Sequence, residues 1–405
     1  MRALLAGTMI FAASACARTG PGEPVPADAL APATGYLDSA VAAGAAPGAV
    51  LGVSVGGRHF YRSTGHLGTG MEARPDSSTV YDMASLTKVI ALTTAAMMAV
   101  DEGLLELDAP VQRYVPAFRG SMKDAVTIRH LLTHSSGLPP FRLLYRETGD
   151  PAAALALTDT TALDTVPGAE FAYSDLGAIV LAQAVEAVFG ERLDSIVARR
   201  VFEPLGMTST RYLPPAEWLD RIPPTEQDPW RGRMIHGEVH DENASRLGGV
   251  SGHAGLFSSA RDLLVFGDWL LGLRAARASS GAGTETNGAV SHDAVISPDV
   301  VRLFTTRQEI PPGSSRALGW DTPSRGSSAG NRLSAQSFGH TGFTGTSIWL
   351  DPERDLVIVL LSNRVHPTRE NSRWGPVRRN VADRVVAGLE GCFSLQDRDL
   401  RCQGR

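Results

Sequence analysis

The sequence predicts an α+β fold in which both ends of the chain form one antiparallel sheet flanked by helices. Near the N-terminus, the segments AVLGVSVGG and RHFYRSTG meet at a pair of glycines and have the pattern of a β-hairpin. Three further strand-like segments, SFGHTG, TSIWLD and DLVIVLLSN, come late in the chain. Helical segments such as DLGAIVLAQAVEAVFG dominate between the two groups. The helical part is therefore predicted to be a large insertion between the two halves of the sheet.

The composition is typical of a soluble globular domain, with an additional segment at each end. Hydrophobic residues make up 43% of the 405 residues and charged residues 20%. The predicted parts are a signal peptide (1–15), a Pro/Ala-rich tether (16–35), one domain (36–390) with its sheet part (36–84 and 300–390) and its mainly helical part (85–299), and a tail (391–405). The formal net charge of −5 gives no reason to expect nucleic acid as a partner.

The first residues predict export. Arg2 precedes a short apolar run, and Ala13-Ser14-Ala15 supplies the small residues of a cleavage site. The run is too short to span a bilayer as a helix. Cys16 follows directly, so the site also fits a bacterial lipoprotein whose cysteine is lipidated, although Ala13 stands where leucine is usual. We expect a periplasmic or cell-surface protein anchored by lipid, with simple secretion as the alternative.

The chain contains three cysteines, an odd number that leaves one without a disulfide partner in an oxidising compartment. Cys392 and Cys402 lie close together in the tail and are predicted to pair, which leaves Cys16 for the lipid. The alternative is two free thiols on the tail.

A serine and a lysine three residues apart are the first sign of chemistry. Lys88, in YDMASLTKVIALTTAAMMAV, is one of two lysines among 38 basic residues. On one face of a helix, Ser85 and Lys88 would lie about 5–6 Å apart at Cβ. A serine hydroxyl needs a base to take its proton, and a desolvated lysine can lose its own proton whereas arginine cannot. The pair predicts a nucleophilic serine; the alternative is a helix N-cap followed by a solvated lysine.

Other candidate motifs are weaker. Ser54 in GVSVG matches the G-x-S-x-G pattern, but that elbow needs a strand–turn–helix and Ser54 lies inside a predicted strand. His130 and His134 have a spacing that zinc ligands use, but no third ligand is obvious, so packing or capping is predicted. His236 and His240 surround a glycine, which predicts a loop; the run HDEN after it could line a cleft.

With Ser85-Leu86-Thr87-Lys88, two later motifs make the chain resemble the serine β-lactamase and penicillin-binding superfamily. The resemblance is closest to its class C, DD-carboxypeptidase and esterase branch. Tyr173-Ser174-Asp175 corresponds to the family's Tyr-x-Asn, and His340-Thr341-Gly342 to its Lys/His-Thr-Gly strand. Segments similar to the family, such as VFEPLGMTSTRY, surround these motifs, and the resemblance covers nearly everything from Gly35 to Leu389.

The resemblance implies a role for each motif. Ser85 would be the acylated nucleophile, and Lys88 and Tyr173 would share its proton. The backbone N–H groups of Ser85 and Phe343 would form the oxyanion hole. Substrate-binding residues would be Asp175, His340, Thr341 and Gly342, with His340 and Thr341 at the substrate's carboxylate or polar end. Neither a metal nor a cofactor would be needed.

Two departures from the family pattern bear on the substrate. An ionised Asp175 can only accept hydrogen bonds, whereas the usual Asn can donate to a substrate carbonyl. Near Lys88, Asp175 would also favour the ammonium form, which shifts the role of base toward Tyr173. His340 replaces the lysine that is common in dedicated β-lactamases, as it does in DD-peptidases and esterases.

The sequence thus predicts a serine hydrolase that forms a covalent acyl-enzyme on Ser85. Its expected substrates are D-alanyl peptide amides of cell-wall type or small esters. A true class C-like β-lactamase, with fast deacylation, is one alternative. A catalytically weak penicillin-binding module is another, and the complete set of Ser85, Lys88 and Tyr173 argues against it.

Overall fold

A computed structural model of the protein describes residue 25 and residues 27–276 and 296–402, with side chains described up to residue 391. The predicted signal peptide and Cys16 lie outside the described residues, as do the side chains of Cys392 and Cys402. Export, lipidation and the disulfide therefore stay predictions.

The predicted sheet is confirmed. It has five antiparallel strands in the order β2-β1-β10-β9-β8, so the N-terminal hairpin pairs directly with the last strand of the chain. Gly56 and Gly57, both at positive φ, make the turn between β1 and β2. The strands are β1 (Gly48–Val55), β2 (Arg58–Gly65), β3 (Val80–Asp82), β4 (Arg211–Tyr212), β5 (Gln227–Asp228), β6 (Arg233–Met234), β7 (Leu256–Ser259), β8 (Phe338–Thr341), β9 (Ser347–Asp351) and β10 (Leu356–Ser362).

Two small sheets outside the main sheet were not predicted. Strands β3, β7 and β4 form one, and β5 and β6 form the other. Each of these strands has only two to four residues. Segments this short give no alternation of apolar and polar residues from which a strand could be predicted.

Eleven α-helices lie in the described part of the chain, and the first, the ninth and the last of them cover the faces of the main sheet. They are α1 (Ala27–Ala42), α2 (Thr94–Asp101), α3 (Ile128–Leu132), α4 (Leu144–Glu147), α5 (Pro151–Thr160), α6 (Asp175–Phe189), α7 (Leu193–Val197), α8 (Glu242–Arg246), α9 (Ala260–Ala275), α10 (Pro298–Phe304) and α11 (Trp374–Cys402). The predicted tether ends too late in the sequence, because residues 27–35 are the first turns of α1. Leu30, Ala33 and Leu37 of this helix are fully buried, and that packing offsets the presence of Pro32.

The sheet separates two hydrophobic cores. Leu51 and Leu360 face a core that contains α1 and α11, and Val50 and Leu361 face the core that contains α9 and the helical part. Both faces of β1 are thus covered, which explains its nearly continuous apolar sequence.

The most buried helical segment lies in the larger core. Residues 84–101 are apolar and long enough to cross a membrane, but 83% of the stretch is buried inside the protein. It begins as a 3₁₀ turn at Ala84–Leu86, continues as a π-helical turn at Lys88–Thr93 and ends as α2. This segment carries Ser85 and Lys88.

Candidate active site

The backbone is strained immediately before Ser85. Ala84 has a φ of 45°, a left-handed conformation that a residue with a Cβ rarely adopts. The Oδ1 atom of Asp82 accepts a hydrogen bond from the Ala84 N–H at 2.8 Å and helps to hold this conformation. Ser85 consequently stands in the first turn of the helical segment.

The predicted pairing of Ser85 with Lys88 is present. Lys88 is buried, and its Nζ donates to Ser85 Oγ at 3.0 Å and to the backbone oxygen of His253 at 3.1 Å. Its third neighbour is Asp175 Oδ1, at 2.7 Å. An ammonium group has three protons, and these three acceptors account for all of them.

The surroundings of Lys88 favour its charged form. Burial alone would lower the pKa of Lys88, but the Asp175 carboxylate and the Tyr173 phenol outweigh burial and raise this pKa. A protonated Lys88 that donates to Ser85 Oγ cannot also take the proton of that hydroxyl. Asp175 thus favours the ammonium form of Lys88, as the sequence predicts.

Tyr173 and Asp175 lie on either side of the N-cap of α6. The Ser174 side chain caps this helix by accepting from the Gly177 N–H at 3.1 Å. The Tyr173 hydroxyl is buried with no hydrogen-bond partner among the described residues, and Lys88 Nζ lies 4.9 Å from the centroid of its ring. The unpaired phenol oxygen is thus available to reacting groups.

His134 supports Tyr173 from behind. The two ring centroids are 4.5 Å apart, and His134 Nδ1 accepts from the Ser174 N–H at 3.2 Å. Burial and the cations Arg316 and Lys88 hold the pKa of His134 well below its usual range. It is therefore a neutral packing residue, as the sequence predicts, but it packs against the catalytic centre.

His340 is also neutral. Its Nδ1 must donate to the backbone oxygen of Thr341 at 2.8 Å, so Nε2 carries a lone pair; this atom is buried and has no described partner. Burial, Arg316 and Lys88 hold the pKa of His340 well below its usual range. In this form His340 offers an acceptor and no charge, so it cannot pair with a carboxylate as a cation would.

The turn after β8 is fastened to the segment before Ser85. Thr344 Oγ1 donates to the backbone oxygen of Asp82 at 2.7 Å, and Thr346 Oγ1 donates to that of Met83 at 3.1 Å. A Cβ on Gly342 would meet the Met83 oxygen at 2.4 Å, so only glycine allows this close approach. The Phe343 N–H has no acceptor among the described residues, as an oxyanion donor requires.

Ser85 opens into a cleft of about 770 Å³ that is rich in arginine. The predicted residues Tyr173, His340, Thr341, Gly342 and Phe343 line it as well. Four arginines line the cleft, against a single acidic side chain, Asp321, among the described lining residues: Arg316, Arg364, Arg378 and Arg379. Arg316 and Arg378 were not predicted, because arginine is too common here to draw attention at any one position.

The weaker motifs have structural roles. Ser54 is buried in β1 and donates to Asp268 Oδ1 at 2.6 Å, so it is no nucleophile. His130 completes a capping box at the start of α3, and His236 bonds the backbone oxygens of Leu219 and Ile222. His240 contacts Glu226 at 2.8 Å and stacks on Phe343 at 5.8 Å, beside the cleft.

This site defines a serine hydrolase of the S-x-x-K class. Its serine hydroxyl contacts a buried lysine, a phenol ring lies beside that lysine, and a backbone N–H is unpaired among the described residues. The family model for Beta-lactamase matches residues 34–383, and the chain belongs to this family. A relative from Escherichia coli (strain K12), named "Putative D-alanyl-D-alanine carboxypeptidase", is 32% identical over 322 residues, which are 72% of this chain and 70% of the relative.

Solved structures share the fold at lower identity. A penicillin-binding protein homolog from Caulobacter crescentus is 18% identical with a TM-score of 0.71, and the match covers 90% of this chain and 99% of the homolog. EstCE1, a hydrolase with promiscuous acyltransferase activity, is 22% identical with a TM-score of 0.69, and covers 89% and 99%. These structures show that the predicted fold class is correct.

Proposed function

We propose that this enzyme hydrolyses D-alanyl peptide amides or small esters through an acyl-enzyme on Ser85, as DD-carboxypeptidases and esterases do. The observation that carries this proposal is the position of Ser85: bonded to Lys88, it opens into a cleft with four arginines and one aspartate. Such a cleft favours an acyl donor with a free carboxylate near the scissile bond. The name of the Escherichia coli relative supports the same choice.

The geometry supports acylation in three chemical steps. Ser85 Oγ attacks the substrate carbonyl carbon as its proton passes to Tyr173, which enters this step as the phenolate beside the Lys88 ammonium, while Lys88 stabilises the charge through its hydrogen bond to Oγ. The Phe343 N–H binds the oxygen on which negative charge develops. The C–N or C–O bond then breaks, and Tyr173 returns the proton to the leaving amine or alcohol.

Deacylation reverses these roles with water. A water molecule attacks the acyl carbon, gives its proton to Tyr173, and the Ser85–acyl bond breaks with the proton returning to Oγ. The acid product leaves, and the free enzyme is restored.

The test is hydrolysis by the purified protein and its Ser85→Ala variant. The substrates are N-acetyl-D-Ala-D-Ala, the same peptide with a C-terminal carboxamide, p-nitrophenyl acetate and benzylpenicillin, with intact mass followed over time. We expect turnover of peptide or ester that is lost in the variant, and a higher KM for the carboxamide because it lacks the anion. Rapid consumption of benzylpenicillin alone would favour a β-lactamase. An adduct on Ser85 without turnover of any substrate would favour a penicillin-binding module.

A further inference from the structure

The Phe343 N–H belongs to a peptide unit that is held by a half-buried arginine, Arg378. The oxygen of this unit, Gly342 O, accepts from Arg378 Nη2 at 2.5 Å. The next backbone oxygen, Phe343 O, accepts from Arg364 Nε at 2.8 Å. The two guanidinium groups thus bind the backbone oxygens on either side of Phe343. The Phe343 N–H has no acceptor among the described residues and is available to a substrate in the cleft.

Arg378 has no other evident function. It forms no ion pair among the described residues, and its Nε is buried without a partner there. Burial lowers the pKa of Arg378 to about 9, which still leaves the guanidinium charged at neutral pH. A half-buried charge without a carboxylate is still costly, so a hydrogen bond to one backbone oxygen calls for an explanation.

The helix α11 supplies a second fastening of the same turn. Trp374 Nε1 donates to the backbone oxygen of Gly345 at 2.7 Å. Together with Arg378, it attaches α11 to both ends of the turn 342–345. The opposite side of this turn is attached to the segment before Ser85 by Thr344 and Thr346.

We propose that Arg378 is a positioning residue for the oxyanion hole, acting through the Gly342–Phe343 peptide. Its hydrogen bond to Gly342 O fixes the plane of this peptide and therefore the direction of the Phe343 N–H. The cation also withdraws electrons from the peptide through its oxygen, which makes the N–H a stronger donor to a developing oxyanion. The proposal rests on the acyl-enzyme at Ser85 but on no particular acyl donor.

The chain offers a matched control in Arg379. This neighbour lines the same cleft and carries the same charge, but no described hydrogen bond links its side chain to the turn 342–345. Arg378→Gln and Arg379→Gln remove one cation each from one cavity. A general effect of cleft charge would change both variants alike, whereas positioning of the oxyanion donor would single out Arg378→Gln.

The experiment compares p-nitrophenyl acetate with its thiono analogue, in which sulfur replaces the carbonyl oxygen. Sulfur accepts hydrogen bonds poorly, so the ratio of the two kcat/KM values measures stabilisation by the oxyanion hole. Removing a whole donor typically costs about 100- to 1000-fold. We expect misorientation in Arg378→Gln to lower kcat for the oxygen ester by about 10- to 100-fold, with KM little changed and the oxygen-to-sulfur ratio reduced. Arg379→Gln should keep the oxygen-to-sulfur ratio of the wild type, whatever its effect on kcat or KM.

The variants distinguish failure of the acyl-enzyme on Ser85 from failure of the role of Arg378. If Ser85→Ala hydrolyses the oxygen ester as fast as the wild type, the acyl-enzyme on Ser85 is wrong. If Ser85→Ala is inactive but both glutamine variants behave alike, the role of Arg378 is wrong. Should Arg378→Gln fail to fold, Arg378→Lys retains the charge without the planar fork and is measured in the same way. A wild-type ratio in every folded variant at position 378 overturns the inference.

Discussion

The ion pair between Lys88 and Asp175 predicts the effect of Asp175→Asn on both stability and chemistry. At 2.7 Å and an effective dielectric constant of ~20, two unit charges attract by about 6 kcal/mol. Desolvation offsets part of this attraction, and removing one partner of a buried pair typically costs about 3–5 kcal/mol. Because Ser85 Oγ and the His253 oxygen still accept from Lys88, we expect a loss near 3 kcal/mol at pH 7.

The raised pKa of Lys88 also predicts how the free energy of unfolding changes with pH. In the wild type the pKa of Lys88 is raised, so its stabilising contribution is complete below the unfolded pKa, near 10.4, and is lost only as pH rises through the folded pKa. Asp175→Asn removes the largest contribution that raises the pKa of Lys88, so we expect burial to bring this pKa below its unfolded value. The variant should therefore gain stability as pH rises from 7 to 10, while the wild type stays level. Urea denaturation at several pH values measures both curves.

A matched control and a kinetic assay complete this test. Asp299 also lies in the first turn of a helix and pairs with an arginine, but its side chain is 75% exposed, so Asp299→Asn should cost less than ~1 kcal/mol. The amide that Asp175→Asn introduces can donate to a substrate carbonyl, so the ratio of amide to ester kcat/KM should change in this variant. Equal stability of wild type and Asp175→Asn at all pH values, with an unchanged ratio, would refute the role given to the pair.

Three further predictions concern single side chains. Tyr173→Phe should lower kcat by about 100- to 10,000-fold, because the hydroxyl moves a proton. Its melting temperature should be unchanged, because the hydroxyl has no described hydrogen-bond partner. Steady-state rates and thermal unfolding check this, and a near-normal kcat would return the role of base to Lys88. Ser54→Ala should lower the free energy of unfolding by about 1–3 kcal/mol in urea denaturation, since it leaves an Asp268 oxygen unpaired. The folded variant should retain its activity, and loss of that activity would reopen the G-x-S-x-G interpretation. If Cys16 is lipidated, the wild type should be in the membrane fraction of its native host and Cys16→Ala in the soluble fraction, whereas a wild type that is already soluble would favour simple secretion.

The architecture was predictable where the sequence pattern is long. The two halves of the main sheet come from strands of four to eight residues with glycine turns, and α6 and α9 from sustained helical periodicity. The start of α1 was not predictable, because Pro/Ala-rich composition resembles a linker. Only packing of α1 against α11, which lies at the other end of the described chain, makes those residues helical.

In the active site as well, contacts that are local in the sequence were predictable and long-range contacts were not. The contact of Ser85 with Lys88 is local, so the spacing of three predicts it without any other information. Tyr173 and His340 came from resemblance to a family. Arg378 lies 36 residues beyond the peptide it binds, and Arg316 comes from a loop. Spacing carries no sign of such contacts, and arginine is too common in this chain for its type to help.

The pairing of β1 with β10 also governs when the enzyme becomes active during synthesis. Ala49 pairs with Ser362, and the turn that carries Phe343 lies just before those last strands. A ribosome must therefore make nearly the whole chain before β1 can pair with the central strand β10, and such non-local pairing forms slowly. A fragment that ends before β8 contains Ser85, Lys88 and Tyr173 but lacks both the Phe343 donor and the central strand β10, so β1 pairs with β2 alone. Synthesis of an incomplete chain thus yields no partial hydrolase.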